Sequence, residues 1–136
     1  MSARTDPMSA RTEDQDQSIR IPEDSAHVAS IRVFVGAVAR QVGYSEEVIE
    51  DLRLVASEAA AQAIEEGLAP EGIELRARLD AARLTIEIRP CGVFSADGDE
   101  PQSTERRALI EALFPDAEFD VGDDRSVLRV SVPHGR

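Results

Sequence analysis

Leu54-Val55-Ala56-Ser57-Glu58-Ala59-Ala60-Ala61-Gln62-Ala63-Ile64 is the stretch on which the reading of the fold turns. It lies within a longer apolar period, Val48, Leu52, Val55, Ala59 and Ala63, whose spacings of three and four predict one stripe on a helix. Ser45 is placed to cap its N-terminus and Gly67 to end it. The alanines of the second half leave room for the helix axis to approach a sheet closely. Glu58 and Gln62 are four residues apart, so they share a face and present a carboxyl and an amide side by side.

Upstream, Val28, Ile31, Val35, Val38 and Val42 repeat the helical spacing, with Asp24 or Ser25 as N-cap and Gly43 as the stop. Ser18-Ile19-Arg20-Ile21 alternates before Pro22 and predicts a short edge strand. Downstream, Ile73 to Leu79 and Leu84 to Ile88 form a predicted hairpin around Asp80-Ala81-Ala82-Arg83, one face wet with Arg and Glu. Pro90 to Thr104 reads as a loop, Glu105 to Leu113 as a helix, and Ala117 to Val121 with Ser126 to Val132 as a second hairpin. The order is β-α-α-β-β-α-β-β. It predicts an α+β two-layer sandwich: a mixed, mainly antiparallel sheet with helices on one face. Residues 1–17 are polar, repeat Met-Ser-Ala-Arg-Thr at 1 and 8, and read as a disordered tail before a single domain at 18–133.

Composition narrows the function. The 136 residues have room for one core, and with only 4% aromatic residues that core must be aliphatic. A net charge of −12 repels phosphate backbones and anionic lipid, which argues against nucleic-acid and membrane partners. No apolar run approaches the roughly 20 residues of a membrane span, and no secretory h-region precedes the domain, so a cytoplasmic location is expected. Cys91 is the only cysteine, which excludes paired-thiol metal sites; His27 and His134 have no ligand spacing, and no metal site is expected. Every basic residue is Arg, and Lys and Asn are absent, a bias of GC-rich bacterial coding. The missing Lys also excludes a Walker P-loop and Schiff-base chemistry.

The element order, the Leu54–Ile64 helix, the Arg106-Arg107-Ala108-Leu109-Ile110-Glu111-Ala112-Leu113 helix and the terminal Val127-Leu128-Arg129-Val130 strand resemble the histidine kinase-like (GHKL) ATPase superfamily. Within it they resemble the anti-sigma-factor serine kinases. The resemblance implies the Bergerat fold over about residues 18 to 133 and assigns roles to positions. Glu58 matches the general base, and Gln62 stands where the family has a Mg²⁺-binding Asn. Pro90-Cys91-Gly92-Val93-Phe94 aligns with the Asp-x-Gly-x-Gly that anchors adenine: Gly92 is kept, but Pro90 has no carboxylate and Phe94 replaces a glycine. Arg106 and Arg107 occupy the Gly-Leu positions that meet phosphates. Asp120-Val121-Gly122 is a partial look-alike in the wrong place and reads as a turn.

What the resemblance implies is thus a pseudokinase: Glu58 a relic base, Gln62, Gly92, Arg106 and Arg107 the remnant of a nucleotide pocket, and no cofactor held. The implied role is transcription control by partner switching, through a sigma factor or a phosphorylatable antagonist, with homodimerisation also open. The alternative is an active kinase binding ATP and Mg²⁺ through those residues.

Overall fold

The computed structural model describes residues 15–67, 69–91, 104–121 and 126–135. Strand β1 (Gln15–Ile21) leads through a 3-10 turn (Ser25–His27) to helices α1 (Val28–Val42) and α2 (Glu46–Glu65). Then come β2 (Ile73–Leu79), β3 (Arg83–Pro90), helix α3 (Thr104–Leu113), β4 (Glu118–Val121) and β5 (Ser126–Pro133). The expected order of elements and the α+β two-layer sandwich are both present. The sheet order is β1-β2-β3-β5-β4, and each described ladder is antiparallel. β5 therefore enters between β3 and β4 instead of extending the sheet past β4.

Helix ends follow local chemistry. The Asp24 side chain accepts from the Ala26 N–H and starts the 3-10 turn, so α1 proper begins a turn later than its first capping candidate. Gly43 closes α1 in the left-handed conformation at φ 91°, and the Ser45 hydroxyl accepts from the Val48 N–H at 3.3 Å to open α2. α1 and α2 pack on each other and reach the sheet, and α3 packs on α2.

The sheet is one-sided because its period is two. Ile73, Leu75 and Ala77 of β2, Leu84, Ile86 and Ile88 of β3, and Leu128, Val130 and Val132 of β5 stand in register and face the helices. They meet Ile31, Val35, Ile49, Leu52, Val55 and Ala60 in a core that includes Tyr44 and Phe114 as its aromatic members. On the opposite face the Asp16 carboxylate takes Arg76 bidentately, at 2.8 to 3.2 Å. Glu87, only 4% exposed, accepts from Arg129 Nε at 2.8 Å and lies 3.5 Å from Arg89 Nη1. Arg129 in turn reaches Glu118 at 3.0 Å.

The strands extend beyond their alternating segments. β1 starts at Gln15, three residues before the expected strand and inside the segment read as a tail; Asp16 fastens that end to β2. β3 continues to Pro90. The hairpin between β2 and β3 closes on Asp80, whose Oδ1 accepts from the N–H of Ala82 at 2.7 Å and of Arg83 at 2.9 Å.

One contact fastens the helices to the sheet, and one close approach fixes β1 against β2. The Tyr44 hydroxyl, carried on the α1–α2 turn, donates to the Val132 carbonyl at 2.6 Å, past the point where β4 stops pairing with β5. Gly72 lies at φ 100°, and a Cβ there would stand 2.5 Å from the Ile21 carbonyl oxygen. Tyr44→Phe should cost about 1–2 kcal/mol in urea unfolding, since it strands a buried carbonyl. Gly72→Ala should cost about 2 kcal/mol or more, since it meets both a left-handed φ and a backbone clash. A Gly72→Ala variant as stable as wild type would show that β1 can move away freely.

Candidate functional site

α2 separates two polar flanks. On the flank toward α1, Arg32 donates to the Ser57 hydroxyl at 3.3 Å and lies 3.9 Å from Glu50. Arg53 donates to Glu50 at 2.8 Å, and Arg40 to Glu46 at 3.3 Å. The Arg53 stem lies over Gly36, where an added Cβ would sit 3.4 Å from its Cδ. Ser57 is 7% exposed and also donates to the Leu54 carbonyl, so this buried hydroxyl is satisfied on both sides.

On the flank away from α1 the helical period places Gln62 and Glu66, with Glu58 one turn before Gln62. Glu58 and Gln62 are both half-buried, as the four-residue spacing implies for neighbours on one face. The Gln62 amide is engaged: its Nε2 donates to Glu66 Oε2 at 3.1 Å. The sequence reading overlooked this partner, although the i, i+4 spacing of Gln62 and Glu66 carries the signal.

The end of β3 stands where the resemblance places the adenine anchor. Pro90 is buried, registers with Ile73 and points to the helix side of the sheet. An apolar ring thus occupies the position to which the resemblance assigns a carboxylate. Cys91, half-buried, donates its N–H to the Gly72 carbonyl at 2.8 Å and accepts the Glu71 N–H at 3.0 Å. The thiol contacts the Arg89 carbonyl at 3.5 Å.

Gly92 lies outside the described residues, as do Val93 and Phe94. Arg106 and Arg107 fall in the first turn of α3, and their side chains lie outside the described part of the structure. The structure places Glu58 and Gln62 together on one face of α2 and Pro90 at the end of β3, and the phosphate side of the expected pocket lies outside the described residues. Among the described residues no cluster of three His, Cys, Asp or Glu side chains is arranged to hold a metal ion. No helix among them is long and apolar enough to cross a membrane.

The first half of α2 concentrates acid on its exposed side. Burial, followed by the charges of Glu47 and Glu50, raises the Asp51 carboxyl above its usual range. At the hairpin, hydrogen bonds from the Ala82 and Arg83 amides hold the Asp80 carboxyl below that range.

The family model of the histidine kinase-like ATPase domain matches residues 21–131. Among solved structures, the RsbU and RsbW domains of Rv1364c from Mycobacterium tuberculosis superimpose with a TM-score of 0.68 at 18% identity. That match covers 86% of this chain and 31% of the other, so the chain spans about a third of the neighbour's length. No curated protein matches the sequence.

The two shifted carboxyls have opposite linkage. Asp80 has a lowered folded-state pKa, so its contribution is present above the unfolded value of about 4 and is lost as pH falls through the folded value. Asp51 has a raised folded-state pKa, so its contribution is full below about pH 4 and is lost as pH rises through the folded value. Asp80→Ala should therefore lower the melting temperature at pH 7, and Asp51→Asn should raise it. Both differences should shrink below pH 4 in thermal scans across pH.

Proposed function

Because the chain belongs to the histidine kinase-like ATPase domain family, we propose that it is a nucleotide-independent member, a regulatory domain of anti-sigma type that works by binding protein partners. The observation that carries this reading is Pro90, buried on the helix side of β3 where the resemblance requires an adenine-binding carboxylate. A proline offers neither a carboxylate nor an N–H to the purine amino group and ring nitrogen. Gln62 supports it, since it carries the amide oxygen on a longer stem than the Asn of the resemblance, and octahedral Mg²⁺ tolerates displaced ligands poorly. Glu58 is in this reading a relic of the general base.

The partner class follows from charge. The exposed side of α2 carries Glu46, Glu47 and Glu50, the first and last of them paired with Arg40 and Arg53, in a chain of net charge −12. A sigma factor presents basic surface to promoter DNA, and an acidic helical layer complements such a surface. A phosphorylatable antagonist competing for the same domain would complete a partner switch, in a bacterial cytoplasm. The second reading, an ATP- and Mg²⁺-dependent serine kinase, is favoured by one observation: Glu58, which the resemblance matches to the general base, is half-buried on the same helix face as Gln62.

Calorimetric titration with ATP and Mg²⁺, with thermal unfolding in parallel, separates the two. A ligand that binds only the folded state raises its melting temperature. The proposal expects no heat and no shift at millimolar ATP. Micromolar binding overturns it in favour of the kinase. Complexes with a sigma factor should weaken steeply between low and high salt, and an affinity indifferent to salt would remove the electrostatic part of the argument.

A further inference from the structure

In a chain of net charge −12 a cation left over is the exception. Among the described residues, Arg32, Arg40 and Arg53 meet Glu46, Glu50 or Ser57 on the helices. On the sheet face opposite the helices, Arg76, Arg89 and Arg129 meet Asp16, Glu74, Glu87 and Glu118. Arg20 donates to the Glu71 carbonyl. Only the guanidinium groups of Arg78 and Arg83, both exposed, make neither a hydrogen bond nor an ion pair.

The strand register puts these two together. Arg78 stands opposite Thr85, and Arg83 lies two residues before Thr85 on the same side of β3. The arginines are therefore diagonal cross-strand neighbours, close enough for two long side chains to meet one ligand. Thr85 in turn stands opposite Ser131, and their hydroxyls are 2.9 Å apart. One hydroxyl donates to the other, which leaves the second with a hydrogen to offer. The carboxylates on this end are already committed. Asp16 registers with Arg78, yet its two oxygens turn to Arg76. Asp80 is held by the Ala82 and Arg83 amides.

We propose that this end of the open sheet face, Arg78 and Arg83 beside the Thr85–Ser131 hydroxyl pair, docks a short acidic segment of another protein. A carboxylate of that segment is taken by the two guanidinium groups and by the remaining hydroxyl hydrogen. Charge decides the class of occupant. A long polyanion such as nucleic acid would lay most of its length against a chain that repels it, whereas a segment with a few Asp or Glu residues meets this patch alone. Elsewhere on the open face the arginines are satisfied within the protein, so the attraction is confined to the hairpin end of β2 and β3. Like charges set this close do not stabilise a sheet, so folding gives no reason for the pair. The patch lies on the opposite side of the sheet from α1 and α2. This inference therefore stands apart from the partner reading above, and both surfaces can be occupied at once.

The test is a titration of the ¹⁵N-labelled full chain with a blocked hexa-aspartate peptide, followed by backbone amide shifts. Shifts should concentrate at Arg78, Arg83, Thr85 and Ser131 and saturate at millimolar peptide. Arg78→Gln and Arg83→Gln should each weaken binding about two- to fivefold, the range of an exposed ion pair, and together should abolish it. Neither should lower the melting temperature, because neither guanidinium holds a contact within the fold. Arg40→Gln removes the same charge from the helical layer and should leave the affinity unchanged. Four outcomes would each overturn the proposal: no shift at millimolar peptide, shifts centred on another surface, a loss in Arg40→Gln equal to that in Arg78→Gln, or equal shifts from inorganic phosphate at matched ionic strength, which would leave a small-anion site only.

Discussion

The constraint on which the rest depends is the two-residue period of the central strands. It sends nearly every aliphatic side chain of β2, β3 and β5 to one side, so the helices have a single place to dock and the other side has to be polar. A polar sheet face brings charges within reach of one another across strands about 4.7–4.9 Å apart. The arrangement of Asp16, Arg76, Glu87, Arg129 and Glu118 is the result, with opposite signs adjacent at each step. Val127 is the exception, a buried valine on the charged side beside Arg129.

That division explains what could be read from sequence. The helices were legible because their stripes, Ser45 and Gly43 are local signals, and the hairpin because Asp80 sits between two alternating runs. The first three residues of β1 were not, since Gln15, Asp16 and Gln17 show no alternation and owe their place to a bond with Arg76, 60 residues on. The insertion of β5 between β3 and β4 was equally hidden, for element order does not state spatial order. Nor does any pattern mark Glu87 as buried, because its burial depends on arginines from two strands closing over it.

At the site, spacing carried the reading as far as side-chain direction. Glu58 and Gln62 were placed on one helix face by arithmetic, and the structure puts them there. Gln62 turning to Glu66 is a contact between two residues each read alone. Pro90 was legible as a loss of chemistry but not as a strand residue, because proline usually ends a ladder; here it faces Ile73 at the last pair of β2 and β3.

Glu71 and Gly72 form a rivet through which three strands are joined. Arg20 holds the Glu71 carbonyl, the Ile21 carbonyl fills the space a Cβ on Gly72 would need, and Cys91 exchanges hydrogen bonds with both residues from the far side. The end of β3 is therefore anchored through main-chain groups of Glu71, Gly72 and Cys91, so the register there survives replacement of the Glu71 or Cys91 side chain.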